Sequence, residues 1–278
     1  WFHAVIWPAL LMALDRPLPR LVYAHSFWIA EGQKMSKSLG NFIDLEKIDS
    51  YVETFSLDAL RYFLAANGPM GTTDSDFAEA KFAEVYNSDL ANGIGNCFNR
   101  VANMTNKYFD GKVPAADRDP GVDIGNQSDS SGQRLSSAGF VQQCVDQFCD
   151  EMQRLNTGGA IGVSERLINA VDQYIEHTQP FKKAKEEDGL PEVATVLSHC
   201  AETLRIASLL LWPVIPEKMA ELWRRMGLDY GPQLADRGRG ALTAWAQWGG
   251  LEPGTPIEKG APLFPRHEPA TSSRPSRS

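Results

Sequence analysis

The chain has 278 residues, of which 43% are apolar and 22% charged, and it carries a net charge of −8. That length supports one large domain or two ordinary ones, each with its own core. The acidic balance excludes a protein that holds nucleic acid by overall charge, so any polynucleotide site has to be a local basic patch.

The first residues are Trp1-Phe2-His3, with no initiator Met and no signal peptide, and the expectation is a fragment of a longer chain. Residues 3–14 have the pattern of a buried helix, kinked or begun at Pro8 and ended by Pro17 and Pro19. Residues 21–25 and 27–29 are short apolar runs of strand type. Helix, turn and strand in this order make half of a β-α-β unit, the end of a parallel sheet.

A loop, residues 31–41 (EGQKMSKSLGN), comes next. Two short helices follow at about 44–54 and 57–66, the second capped by Ser56. Phe77, Phe82, Val85, Leu90, Ile94, Val101, Met104 and Tyr108 step at helical spacing, which predicts one helix from about 76 to 109. The Ser-, Asp- and Gly-rich stretch 115–137 predicts an exposed, mobile connection. Helical periodicity returns at about 138–156, 159–177, 191–212 and 216–226 with short polar turns between, the pattern of an antiparallel bundle. Beyond His267 the composition is that of a disordered tail. The longest apolar run, 206–215, is too short to span a bilayer, so no membrane partner is expected. Cys97, Cys144, Cys149 and Cys200 show no metal-ligand spacing and read as buried reduced thiols of a reducing compartment.

Lys34-Met35-Ser36-Lys37-Ser38 sets two ammonium groups three residues apart among small hydroxyl residues, ahead of Gly40. Backbone N–H groups of such a turn can face phosphate oxygens, and mobile lysines stabilise charge that builds up on a departing pyrophosphate. A functionless exposed turn could hold two lysines as well; the full string after two strand-like runs, followed by Gly40-Asn41 and a helix, favours phosphate chemistry. GQKMSKSLGN closely resembles the KMSKS motif of class I aminoacyl-tRNA synthetases. The resemblance implies that Lys34, Met35, Ser36, Lys37 and Ser38 form the ATP-binding loop, with Lys34 and Lys37 on the phosphates and Mg2+ accompanying ATP.

The flanks resemble one member of that class. Phe2-His3 through Trp7-Pro8-Ala9 is similar to the FHxxxWPA segment of methionyl-tRNA synthetases, which implies that His3 and Trp7 border the methionine. An indole wall suits a thioether. Residues 58–64 (DALRYFL) resemble the family's D-x-L-R-Y segment, where the i,i+3 spacing lets Asp58 and Arg61 pair and brace the helices behind the loop. Residues 86–100 (YNSDLANGIGNCFNR) resemble the segment that implies anticodon reading by Asn96 and Arg100, which share a helix face. Phe181, after Pro180, stands where the family usually has Trp; it can stack on a base with less surface and no N–H donor. Lys182, Lys183 and Lys185 beside it supply the local basic patch. Residues 254–266 resemble the family's closing string, which returns toward the catalytic half.

The resemblance therefore implies a mainly α chain: the end of a Rossmann-type α/β catalytic domain (1–30), the KMSKS loop with connecting helices (31–72), an α-helical bundle that binds the anticodon (73–250), and a return segment with its tail (251–278). The implied activity is methionine–tRNA ligation in the cytoplasm, with ATP, methionine and tRNA-Met (anticodon CAU) as partners, no zinc site in this portion, and the oligomeric state open. The class's HIGH motif is absent from the sequence, so the chain by itself is expected not to form adenylate. Two other readings stand beside it. One is a non-catalytic tRNA-binding helical module. The other is a different class I activating enzyme such as the cysteinyl type, which the lack of zinc-ligand Cys/His spacing disfavours.

Overall fold

Apolar residues at helical spacing dominate the chain, and the computed structural model is accordingly mainly helical with one small sheet. It describes residues 1–118, 121–125, 132, 135–230 and 239–268. Phe2–Ile6 forms a π-helical turn leading into α1 (Trp7–Ala13), with Pro8 in the first turn where its missing N–H is harmless. The expected burial of this helix is not found. Neither α1 nor the turn before it has a buried residue, and Phe2, Trp7, Leu10 and Met12 are exposed. An apolar stripe is buried only where another element covers it, and among the described residues only the π turn before it packs closely on α1.

Residues 21–25 are likewise no strand, because no neighbouring strand pairs with them. Pairing begins at β1 (Trp28–Ala30), which turns back antiparallel into β2 (Gln33–Lys34) with Ile29 opposite Lys34. Glu31 and Gly32 both have positive φ, as the two-residue turn of a twisted hairpin requires. On its other edge β1 pairs in parallel with β3 (Ser75–Asp76), giving the order β2-β1-β3. The crossover between them is α2 (Leu45–Phe55) and α3 (Leu57–Asn67). Side-chain caps start both helices: Asp44 Oδ1 accepts from Lys47 N at 2.9 Å and Ser56 Oγ from Ala59 N at 3.3 Å. Tyr51, Phe63, Phe77 and Phe82 pack edge-on and tilted beneath the sheet, with Phe63 and Phe82 centroids 4.9 Å apart.

Asp58 and Arg61 do not pair with each other. Asp58 is buried and accepts from Lys218 N at 2.7 Å, capping a later helix, while Arg61 donates to the carbonyls of Val214 at 2.8 Å and Pro213 at 2.9 Å. Both residues of α3 thus clasp one turn of the bundle, and free backbone groups at that turn outcompete a neighbour one helical step away.

The expected single helix over 76–109 is three pieces. α4 (Glu79–Val85) passes into a π-helical stretch, Tyr86–Gly95, and then into α5 (Asn96–Tyr108). Gly93, at φ −76° and ψ −114°, breaks the helical path. Phe77 reaches the core from just after β3 rather than from the helix. The bundle is completed by α6 (Ser137–Gln153), α7 (Thr157–Thr178), α8 (Pro180–Lys183), α9 (Leu190–Leu211), α10 (Pro216–Arg225) and α11 (Arg239–Trp245). α9 is long and apolar enough to cross a membrane by length and composition, but it is the central helix, buried against α5, α6, α7, α10 and α11. Of the four free cysteines, Cys97, Cys144 and Cys200 are buried and Cys149 half-buried.

Part of the connection 115–137 lies outside the described residues. The described part is not loose. Ile124 is fully buried, and Ser137 N and Oγ donate to Asp123 Oδ1 at 2.9 and 3.1 Å. One apolar residue and one Asp thus hold the described residues 121–125 to the start of α6, where composition alone reads as mobile. Of the tail expected to be disordered, residues 269–278 lie outside the described residues. The closing segment folds back along α5: Ile257 N donates to Gly111 O at 2.7 Å, Tyr86 Oη to Pro265 O at 2.8 Å, and Asn87 and His267 exchange two hydrogen bonds of 2.9 Å. His267 ends against Phe55, ring centroids 4.5 Å apart, on the helix that follows the lysine loop.

Candidate functional site

The loop after β2 is fixed at its base and open at its tip. Ser36 N donates to Asn41 Oδ1 at 2.8 Å, and Asn41 Nδ2 reaches the carbonyls of Lys34 at 3.2 Å and Ala30 at 3.3 Å. One amide side chain therefore closes the turn against both strands of the hairpin. Met35 is half-buried against the core. Lys37–Leu39 is a single 3-10 turn ended by Gly40 at φ 69°, a left-handed conformation that glycine adopts without strain. The Ser36 and Ser38 hydroxyls bond each other at 2.8 Å. Lys34, Lys37 and Ser38 are exposed, and the Lys37 ammonium stands 5.5 Å from the centroid of Phe42. Two cations thus project from a stapled turn, an arrangement suited to closing on a polyanion. His3 and Trp7 lie exposed on the π turn and α1, Trp7 with 41% of its surface accessible.

The second group lies on the bundle. Asn96 is exposed at the start of α5, and Arg100, one turn on, is half-buried. Arg100 donates to Asp172 Oδ1 at 2.8 Å and to Glu176 Oε1 at 2.5 Å, both on α7. Spacing on α5 puts Asn96 and Arg100 on one face, but no sequence pattern pointed to the carboxylate partners of Arg100, because they come from another helix. α7 ends at Thr178, and Gln179 in a left-handed conformation turns the chain into α8, where Phe181 is 37% exposed. Phe181 therefore follows within five residues of Glu176, the partner of Arg100. Of the nearby lysines, Lys182 and Lys185 are exposed, and Lys183 is bound to Glu192.

A third cluster escaped the sequence reading. The buried Tyr62 hydroxyl donates to Glu165 Oε1 and lies 3.4 Å from Asp89 Oδ2, while Ser88 Oγ donates to Asp89 Oδ1 at 2.5 Å. Burial first, then the two carboxylates, pushes the phenol far above its usual range. Burial raises Glu165 and Asp89 above the ordinary carboxylate range; each is partly relieved by its hydrogen bonds, and Glu84 pushes Asp89 further up. A carboxyl raised in the folded state stabilises the fold fully below its unfolded pKa, and that contribution is lost as pH rises through the folded value. Glu165→Gln is therefore expected to raise the unfolding midpoint at pH 8 and to leave it unchanged near pH 4; equal midpoints at pH 8 would refute this.

Residues 1–102 match the family model described as tRNA synthetases class I (M). The methionine–tRNA ligases of Halalkalibacterium halodurans and Listeria innocua are each 35% identical to the chain, over 268 and 269 residues, covering 95% of it. The chain spans 37% of the length of these curated relatives. Among solved structures, Mycobacterium tuberculosis methionyl-tRNA synthetase in complex with methionyl-adenylate superposes with a TM-score of 0.76 at 28% identity, over 95% of this chain and 48% of that one. The free state of that enzyme gives 0.75 at 26% identity, over 96% and 48%. Agreement in sequence and in fold thus runs along almost the whole chain, and what the chain matches is the corresponding part of methionine–tRNA ligases, its first 102 residues fitting the class I tRNA synthetase model.

Proposed function

We propose that the chain contributes the phosphate-gripping loop and the anticodon-reading bundle of an ATP-dependent methionine–tRNA ligase. In the first step an oxygen of the methionine carboxylate attacks the α-phosphorus of ATP, and the bond from that phosphorus to the α,β-bridging oxygen breaks, so that pyrophosphate leaves with the electron pair; Mg2+ would accompany the ATP. Lys34 and Lys37 neutralise charge on the departing group, which requires their ammonium groups to be free to move, as their exposure allows. His3 and Trp7 border the methionine side chain. In the second step the methionyl group passes to the tRNA 3′ end, and Asn96, Arg100 and Phe181 select the CAU anticodon. The division of labour runs from residues 1–30 (the substrate side) through 31–72 (the loop and its helices) to the bundle of 73–250 and the return segment of 251–278.

The observation that carries this reading is the pairing, on one polypeptide, of the stapled two-lysine turn with a bundle that carries the exposed Asn96 amide, the half-buried Arg100 guanidinium and the exposed Phe181 ring. An amide can read a base edge, and an exposed ring can stack on one. The test is binding of a short RNA hairpin with a CAU loop to the chain, against one with a changed anticodon. The CAU hairpin is expected to bind more tightly, and Arg100→Ala to lose a factor of about ten in affinity for it. Equal affinity for the two hairpins would leave only a basic surface. A helical module without catalysis would show the same discrimination, so ligation itself is tested at Lys37, below.

A further inference from the structure

The π-helical stretch Tyr86–Gly95 stands directly before the two residues assigned to the anticodon. A π turn is wider than an α turn, so it rotates everything downstream relative to a continuous α-helix. Gly93 breaks the path three residues before Asn96 and seven before Arg100. The direction in which those side chains point is therefore set by how the break is held.

It is held between two fixed points on α7. Ahead of Gly93, Asp89 faces Glu165 across the Tyr62 hydroxyl; beyond it, Arg100 is bonded to Asp172 and Glu176. Residues 165, 172 and 176 are seven and four apart, so these three carboxylates share one face of α7. The first fixed point also involves α3, which carries Tyr62. A phenol has one proton to donate, and among the bonds around it only the Ser88 hydroxyl offers Asp89 another. Without the phenol, two carboxylates would face each other across the junction of three elements.

We propose that Tyr62, Asp89 and Glu165 form a positioning clamp that fixes the break at Gly93 and thereby aims Asn96 and Arg100 at the anticodon. The clamp touches no RNA itself and rests on the functional reading above. The test measures the ratio of affinities for the CAU hairpin and the changed hairpin, with thermal unfolding run in parallel. Tyr62→Phe is expected to lower the ratio about tenfold, the weight of one base-reading group. Glu165→Gln keeps an acceptor for the phenol and adds a donor for Asp89, so it is expected to preserve the ratio. Gly93→Ala is expected to lower the ratio as well, and it serves if Tyr62→Phe does not fold. A Cβ at that position would meet only Ser88 O, at 3.5 Å, an ordinary contact, so the substitution acts through alanine's preference for a continuous helix, which works against the break, rather than through a clash. If the wild type discriminates while Tyr62→Phe or Gly93→Ala folds and keeps the ratio within about twofold, the clamp is overturned alone. If the wild type does not discriminate, the functional reading falls and the clamp with it.

Discussion

Replacing Arg205 by alanine is expected to destabilise the bundle by about 3–5 kcal/mol, the cost of leaving a buried charge and its hydrogen-bonding partners unpaired. Arg205 lies in the middle of α9 and is fully buried. Its guanidinium bonds Glu202 through two nitrogens at 2.8 and 2.7 Å, and it also reaches Trp245 O at 2.6 Å, Gln247 O at 2.7 Å and Tyr230 Oη at 3.1 Å. Glu202 in turn accepts from Gly249 N at 2.7 Å and Gly250 N at 2.9 Å. One ion pair thus fixes the end of α11 and the turn after it to the central helix. The pair need not stabilise the fold relative to an apolar equivalent, but breaking half of it strands a carboxylate and two carbonyls. The double variant Arg205→Met/Glu202→Met is expected to recover part of the loss by removing both charges. Urea unfolding decides: a shift below about 1 kcal/mol for Arg205→Ala would mean that water reaches the site and that the pair is not the anchor described.

Lys37→Ala is expected to slow pyrophosphate exchange about 10²–10³-fold, assayed in the longest form of the protein that catalyses it, the scale on which one transition-state donor contributes. At rest Lys37 stands over Phe42, exposed, on a turn whose base is held by Asn41. On the proposed mechanism, a fixed base with an exposed tip would let the cation approach only as charge moves onto the pyrophosphate. The loss should therefore appear in kcat, with little change in the KM for methionine. A variant that exchanges within about threefold of the wild-type rate would remove Lys37 from the chemistry. The same outcome would leave RNA binding by the bundle intact and assign the pyrophosphate contact to another residue.

The residues differ in how much of their role was visible beforehand. The lysine loop was legible as a loop because the string is contiguous: Lys34, Ser36 and Lys37 lie within one turn, and spacing along the chain is spacing in space. Helices α2 and α3 and the Ser56 cap were legible for the same reason, since Ser56 bonds an N–H group three residues ahead; Asp44 caps α2 in the same way, though that cap was not expected. The pairing of Asp58 with Arg61 was a local expectation that failed, because the turn at 213–218 offered both side chains free backbone groups. The helix over 76–109 failed at Gly93, since apolar spacing of three and four residues continues unchanged through a π turn. The buried helix at 3–14 failed because periodicity records which face is apolar but not what covers it.

Local chemistry written in the sequence therefore determined the helical class, the order of the elements and the lysine loop, all of which depend on neighbours a few residues away. The tertiary structure alone decided that Tyr62 would stand between Asp89 and Glu165, that Arg100 would find Asp172 and Glu176, and that His267 would return to Asn87. Each of these joins residues about 27 to 180 positions apart in the chain. A polar side chain entering the interior takes whatever partner the packing of helices brings within 3 Å, and that packing is set by the whole apolar core.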